Sequence, residues 1–367
     1  MNSNMMSQRN YGIDLLRMVA MYMIVVLHVL KQGGILAATK ETSACYEIAW
    51  LLEIAAICAV NCYALISGYV GIKSKYKYSN IIVLWLRVVF YTLGITLVSN
   101  LIFPEKIGVA DYVKAVFPIS TEQYWYFNAY LALFIFIPIL NRAVNMMKQE
   151  QLRASLIVLI IAYSIMQTII HKDVMGTAYG YSGLWLIILY LIGAYIRKYD
   201  VAKRCATGKA LLGYAGMILV TWGSKFAIEL GTLYVFGEGK SIGGNFLVNY
   251  TSPTILGAGI FLLVAFEKIK VNVWMEKMIS LLSPLAFSVY LIHVHPLVWD
   301  NFLESRYVEY ASLDVLNMVA TVVGTSLIIY LVCSIFDLGR NHLFRKLNVS
   351  KKIWEIEDKF VGQLWDD

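Results

Sequence analysis

Charge is what this chain has least of. Only 15% of its residues are Asp, Glu, Lys or Arg while 59% are hydrophobic, and mean hydropathy is +0.65. A soluble globular domain carries about a quarter charged residues, so an aqueous fold is excluded and a polytopic membrane protein expected. The net charge of +7 does not indicate nucleic-acid binding, because the basic residues are scattered between hydrophobic spans rather than gathered on one domain. Cysteine is sparse as well. Cys45, Cys58, Cys62, Cys205 and Cys333 form no CxxC and have no histidine beside them, which indicates neither a metal site nor a disulfide framework and leaves buried thiols as the plain reading. The sequence also lacks a tandem repeat, a low-complexity tract and an appended soluble domain. A cleaved signal peptide is not expected either, since the first apolar run contains Asp14, Arg17 and His28.

That first run, Tyr11 to Leu30, is the most informative stretch. It has about the length a helix needs to cross a bilayer, yet it holds an acid, a cation and an imidazole where lipid favours apolar groups. At 3.6 residues per turn, the eleven-residue step from Arg17 to His28 leaves the two about 20° apart around the helix and about 16 Å apart along it. Asp14 falls on the same face, one turn earlier. A stripe of this kind turns inward, toward a polar cavity or other helices, and marks a candidate working site.

Hydropathy places ten spans, running approximately over residues 11–30, 44–70, 78–103, 124–140, 154–170, 179–196, 210–230, 246–266, 278–299 and 315–336. Ten spans put both termini on one side. With that side cytoplasmic, 21 of the 31 Lys and Arg fall in inner segments, seven in outer ones and three within spans, which satisfies the positive-inside rule at every inner loop. The fold expected is therefore an all-α transmembrane bundle over residues 1–340 with a cytoplasmic amphipathic tail over 341–367. Between spans three and four, Val109, Tyr112, Val113, Val116 and Phe117 recur at helical spacing, as in a helix lying on the outer surface. In the tail, Ile353, Ile356, Phe360 and Leu364 alternate with charged residues as in an interfacial anchor.

Depth then sorts the intramembrane polar groups. Arg17 and Arg87 share the inner third, and His28 and His293 the outer part, with a gap of about 15 Å between the levels, close to the reach of an extended pantetheine arm. This suits an anionic donor entering from the cytoplasm with phosphates near the arginines and its reactive end near histidine. Bland readings stand beside it: an intramembrane Arg can pair with an acid such as Asp14 or cap carbonyls, and His293 can be a packing or interfacial residue. His295 faces elsewhere and precedes Pro296, so no role is assigned to it. Lys225 and Glu229, four apart, read as a structural pair. Glu53 is a candidate for lining an outer vestibule.

Asp14-Leu15-Leu16-Arg17 followed by His28 resembles the opening motif of the acyltransferase-3 family of bacterial membrane acyltransferases. Further segments agree in order: Asn61 to Tyr69 is similar to the Ser-Gly-aromatic end of that family's second helix, Arg87 to its third-helix basic residue, and Tyr124-Trp125-Tyr126 to the start of its fourth. Asn249 to Gly259 is similar to its Ser-Pro segment, and Ser288 to His293 to its late Tyr-Leu-x-His motif. The resemblance implies a multi-pass protein of the bacterial cell membrane that moves an acyl group, usually acetyl from cytoplasmic acetyl-CoA, to a hydroxyl of a glycan or lipid-linked saccharide. It implies His28 as central catalytic residue, with Arg17 and His293 beside it in the catalytic set. Arg17, Arg87, Lys73 and Ser67 are implied for the donor and Trp125 and Tyr290 as lining residues, to which the reading of the polar stripe and vestibule adds Asp14 and Glu53. Direct transfer to the hydroxyl and relay through an acetyl-histidine both remain open, as do a homo-oligomer and a biosynthetic partner. No metal and no nucleic acid are implied. The competing reading is a transporter or flippase with a path through Arg17, His28 and His293.

Overall fold

In lipid every backbone N–H and C=O must find its partner within the chain, which leaves helices as the natural solution for a sequence of long apolar runs. The computed structural model describes residues 9–237 and 243–360, and among these residues there is no strand. In chain order the helices are α1 (Tyr11–Lys31), α2 (Ile35–Ala38), α3 (Ala44–Ile57), α4 (Ala59–Gly71), α5 (Ser79–Ile102), α6 (Val109–Val116) and α7 (Trp125–Met146). They continue with α8 (Gln149–Ile160), α9 (Met166–Ile170), α10 (Gly183–Lys198), α11 (Thr207–Phe236), α12 (Pro253–Glu267) and α13 (Val273–Leu282). The last are α14 (Ala286–His293), α15 (Pro296–Phe302), α16 (Val315–Lys346) and α17 (Val349–Phe360). Eight helical segments among the described residues are long and apolar enough to cross a membrane. This is an all-α, polytopic helical bundle. The sixth and eighth expected spans form shorter helices, α10 with 16 residues and α12 with 15, because irregular chain occupies the first part of each expected stretch. The expected ninth span, 278–299, is also redrawn: it starts at Val273, passes a 3-10 turn at Ser283–Leu285 around Pro284, and ends at His293, ahead of Pro296.

The chain forms two compact units, one of Met1–Met23, Trp50–Ser74 and Phe136–Pro284, the other of Ile24–Ala49, Lys75–Ile135 and Leu285–Asp367. In the first, α4 and α10 pack backbone to backbone. A Cβ at Gly68 would lie 1.9 Å from the Tyr190 carbonyl oxygen, and one at Gly193 would lie 2.0 Å from that of Leu65. Glycine is thus what lets these helices approach. Asn61 ties further segments to α4, donating to the Tyr250 carbonyl at 2.8 Å and accepting from the Trp185 indole at 3.0 Å. On α11 the Lys225–Glu229 pair is present and buried, with the ammonium 3.9 Å from the Trp50 ring centroid, so the structural reading of this pair holds. Glu53 is buried in the same unit.

In the second unit α5 packs against α6, α14, α15 and α17. The Thr92 hydroxyl of α5 donates to the Ala115 carbonyl of α6, while Val109, Val113, Val116 and Phe117 stay exposed, as expected of a surface-lying helix. The Glu357 carboxylate of α17 accepts from the backbone N–H groups of Tyr78 and Ser79 and from the Ser79 hydroxyl. It therefore satisfies donors at the N-terminus of α5 that the helix itself cannot. Lys77 pairs with Asp358, and the Trp354 indole donates to Asn80. α16 runs without a break through residue 340 to Lys346, so the tail's own helix begins only at Val349; Leu364 lies outside the described residues.

Candidate active site

Two prolines isolate the short helix α14, Pro284 in the turn before it and Pro296 at the start of α15. Its last residue, His293, is buried, and its Nδ1 donates to the Val289 carbonyl at 2.6 Å, one turn back. Nε2 of the same ring lies 2.8 Å from Nδ1 of His28 on α1. The two imidazoles named from the sequence, 265 positions apart, thus share a hydrogen bond within one compact unit. His293 is buried and His28 half-buried, so of the two residues His28 is the more exposed.

Aromatic side chains enclose the pair. Trp299 of α15 meets His28 edge-on with ring centroids 5.2 Å apart, and Tyr290 meets His293 at 6.4 Å with the rings nearly perpendicular. Tyr124 holds α14 by donating to the Leu291 carbonyl at 2.8 Å, and the rings of Tyr124 and Tyr126 stand 5.8 and 6.3 Å from that of Tyr290. Trp125 packs edge-on to Tyr126 at 5.5 Å. These rings cover one side of the two imidazoles with apolar surface.

His295, two residues on and beyond the end of the span, has a structural part that the sequence reading did not assign. Its Nδ1 accepts from the Leu297 N–H and so caps α15, and the Gln123 amide lies 3.3 Å from its Nε2. Burial pushes this imidazole down to about 4, with a hydrogen bond to the Thr92 backbone opposing.

The acid and cation of the opening motif form a separate cluster in the other unit. Asp14 is held at 2.5 Å by Arg9 Nε and at 2.6 Å by Arg17 Nη1. Ser283 completes it, its hydroxyl donating to Asp14 at 3.2 Å and accepting from Arg17 at 3.2 Å. The pairing anticipated for an intramembrane arginine is therefore what holds Arg17, while 29% of its side chain stays exposed. Tyr63 of α4 donates to the Arg17 carbonyl, while Ser67 bonds back within α4 to the Tyr63 carbonyl, each at 2.9 Å. Lys73 is exposed beyond the end of α4. In the second unit, Asp337 takes a bidentate contact from Arg340 at 2.6 and 2.9 Å and accepts from the Tyr91 hydroxyl, with Arg87 in electrostatic reach of both charges. Sequence reasoning missed Ser283, Trp299 and Asp337. Of these only Asp337 carried a signal, its i,i+3 spacing from Arg340 inside an apolar run.

Among the described residues no group of three or more His, Cys, Asp or Glu could hold a metal ion. A family model described as an acyltransferase domain matches residues 10–338 of the chain. Nothing matches among curated proteins or solved structures.

Proposed function

The chain belongs to the acyltransferase-3 family, and from that membership we propose that this membrane acyltransferase is an O-acetyltransferase of the bacterial cell membrane. In this reading it takes acetyl from cytoplasmic acetyl-CoA and delivers it to a hydroxyl of a cell-envelope or exported polysaccharide, or of its lipid-linked precursor. The observation that carries the reading is the pair of imidazoles, a half-buried His28 backed by a buried His293. An imidazole so placed can take a proton from an attacking hydroxyl or can itself receive the acyl group. The donor's phosphates call for cations. Arg17, partly exposed although paired with Asp14, and the exposed Lys73 are the residues we assign to them. Trp125 and Tyr290 are assigned to shaping the acceptor side of the reacting centre.

The test uses inside-out membrane vesicles supplied with acetyl-labelled CoA, scoring label moved to glycan by the wild type and by a folded His28→Ala variant. Loss of a general base or nucleophile should lower transfer by about 10²–10⁴-fold while donor binding is retained. Transfer by the variant at the wild-type rate removes His28 from the chemistry. Transport of a solute without label transfer by the wild type moves the assignment to a transporter.

A further inference from the structure

A carbonyl oxygen can only accept, so the 2.6 Å contact between His293 Nδ1 and the Val289 carbonyl requires the proton of His293 to sit on Nδ1. The Nε2 of a neutral His293 then carries a lone pair. That nitrogen faces His28 Nδ1 at 2.8 Å, and two neutral rings can share this contact in only one way, with His28 Nδ1 donating. His28 Nε2 is left with the lone pair. Residue burial follows the same order, His293 being 2% exposed and His28 half-buried.

Building on the acyl-transfer reading above, we infer that His293 is the positioning residue that fixes the tautomer of His28, makes Nε2 its reacting nitrogen, and stores the Nδ1 proton during turnover. When Nε2 attacks the thioester carbonyl, the N–C bond forms, the C–S bond breaks and the thiol leaves as its thiolate. The positive charge left on the acylated ring is relieved as the Nδ1 proton crosses to His293 Nε2, giving a neutral acyl-imidazole beside a protonated His293. Attack by the acceptor hydroxyl breaks the N–C bond. The proton returns to His28 Nδ1, and the proton of the hydroxyl is released to balance the thiolate. A ring without an Nδ1 acceptor would have to hold the charge itself, which a water-poor aromatic surround disfavours. The Val289 carbonyl is thus the fixed end of a three-member relay, with the His28–His293 contact as its moving part.

The tautomer is read without donor or acceptor, by ¹⁵N NMR of histidine-labelled protein in lipid bilayers at neutral pH, with the His28 signals assigned by their loss in His28→Gln. The expected result is His28 protonated at Nδ1 in the wild type and in His293→Gln, whose amide oxygen still accepts, and a mixture of tautomers in His293→Ala. His28 protonated at Nε2 in the wild type overturns the inference. In the vesicle assay His293→Gln, which holds the tautomer but cannot take the proton, should lower the maximal rate about 100-fold with the donor KM unchanged. A wild-type rate in that variant overturns the proton-storing role. Absence of transfer by the wild type counts against the acyl-transfer reading, while the spectrum still decides the tautomer.

Discussion

Asp14 shows how one residue can hold several others in a membrane. Its carboxylate takes charged contacts from Arg9 and Arg17 and a hydroxyl from Ser283, and only 12% of its side chain is exposed. Asp14→Asn keeps the shape and removes the charge, leaving Arg17 without its counter-ion. The expected cost is about 2 kcal/mol, the middle of the range for hydrogen bonds to charged groups, and Arg9 adds little because 44% of its side chain is exposed. Thermal unfolding in detergent should show this as a lowered Tm, and an unchanged Tm would assign Asp14 to ligand binding alone. His295 gives a second residue-scale expectation. Its folded-state pKa of about 4 lies below the unfolded value near 6.5, so the unfolded chain binds the proton first as pH falls. Stability is therefore unaffected above pH ~6.5 and declines between there and pH ~4, by up to about 2 kcal/mol at pH ~5. His295→Asn, which keeps a side-chain oxygen for the Leu297 N–H, should flatten that part of the Tm profile. An equal decline in both proteins would place the acid sensitivity elsewhere.

At the scale of elements the contact between α4 and α10 decides most. Both of its close approaches are set by backbone oxygens, which cannot move aside as a side chain can. Gly193→Val should abolish recovery of monodisperse protein, whereas Gly216→Ala on α11, where an added Cβ meets nothing within 4 Å, should be neutral or stabilise by about 0.5–1 kcal/mol. Size-exclusion chromatography of detergent extracts separates the two outcomes, and a well-folded Gly193→Val protein would refute the packing argument. The same contact shows what the sequence could and could not disclose. Ser67-Gly68-Tyr69 was legible as a motif, but its cause lies on α10 and α12: the glycine meets the Tyr190 carbonyl, and the tyrosine hydroxyl donates to Glu267 of α12 and accepts from Arg197 of α10. Nothing within one helix announces such a partner. Periodicity and depth were enough to single out His28 and His293, because an imidazole in an apolar run stands out whatever surrounds it. Their direct hydrogen bond was not legible, since it depends on how α14 is set between two proline breaks. The ends of α10, α12 and α14 were misplaced for a related reason: hydropathy measures apolar content, and Tyr179 to Ser182 or Phe246 to Tyr250 are apolar enough without being α-helical.

For the molecule as a whole the open arithmetic is the number of crossings. Eight helical segments among the described residues have the length and composition to span, yet the charge pattern calls for ten. α10, with 16 residues, is about 24 Å long and α12, with 15, about 22 Å, both short of the roughly 30 Å of hydrocarbon. A short helix can still cross where the bilayer thins or flanking side chains reach the interface. Charge argues that α10 does. If it failed to cross, Arg197, Lys198, Lys203, Arg204 and Lys209 would all stand on the outer side, the largest basic group in any loop and on the side where such groups are disfavoured. The expectation is that Lys172, before α10, and Lys203, after it, lie on opposite faces of the membrane. Both side chains are exposed, so Lys172→Cys and Lys203→Cys can be placed one at a time in a chain whose native cysteines are replaced by alanine. A membrane-impermeant maleimide should then label position 172 only in right-side-out vesicles and position 203 only in inside-out ones. Labelling of both from one side would take α10 out of the membrane-crossing set, and the cytoplasmic placement of both termini would have to be rebuilt from the helices that remain.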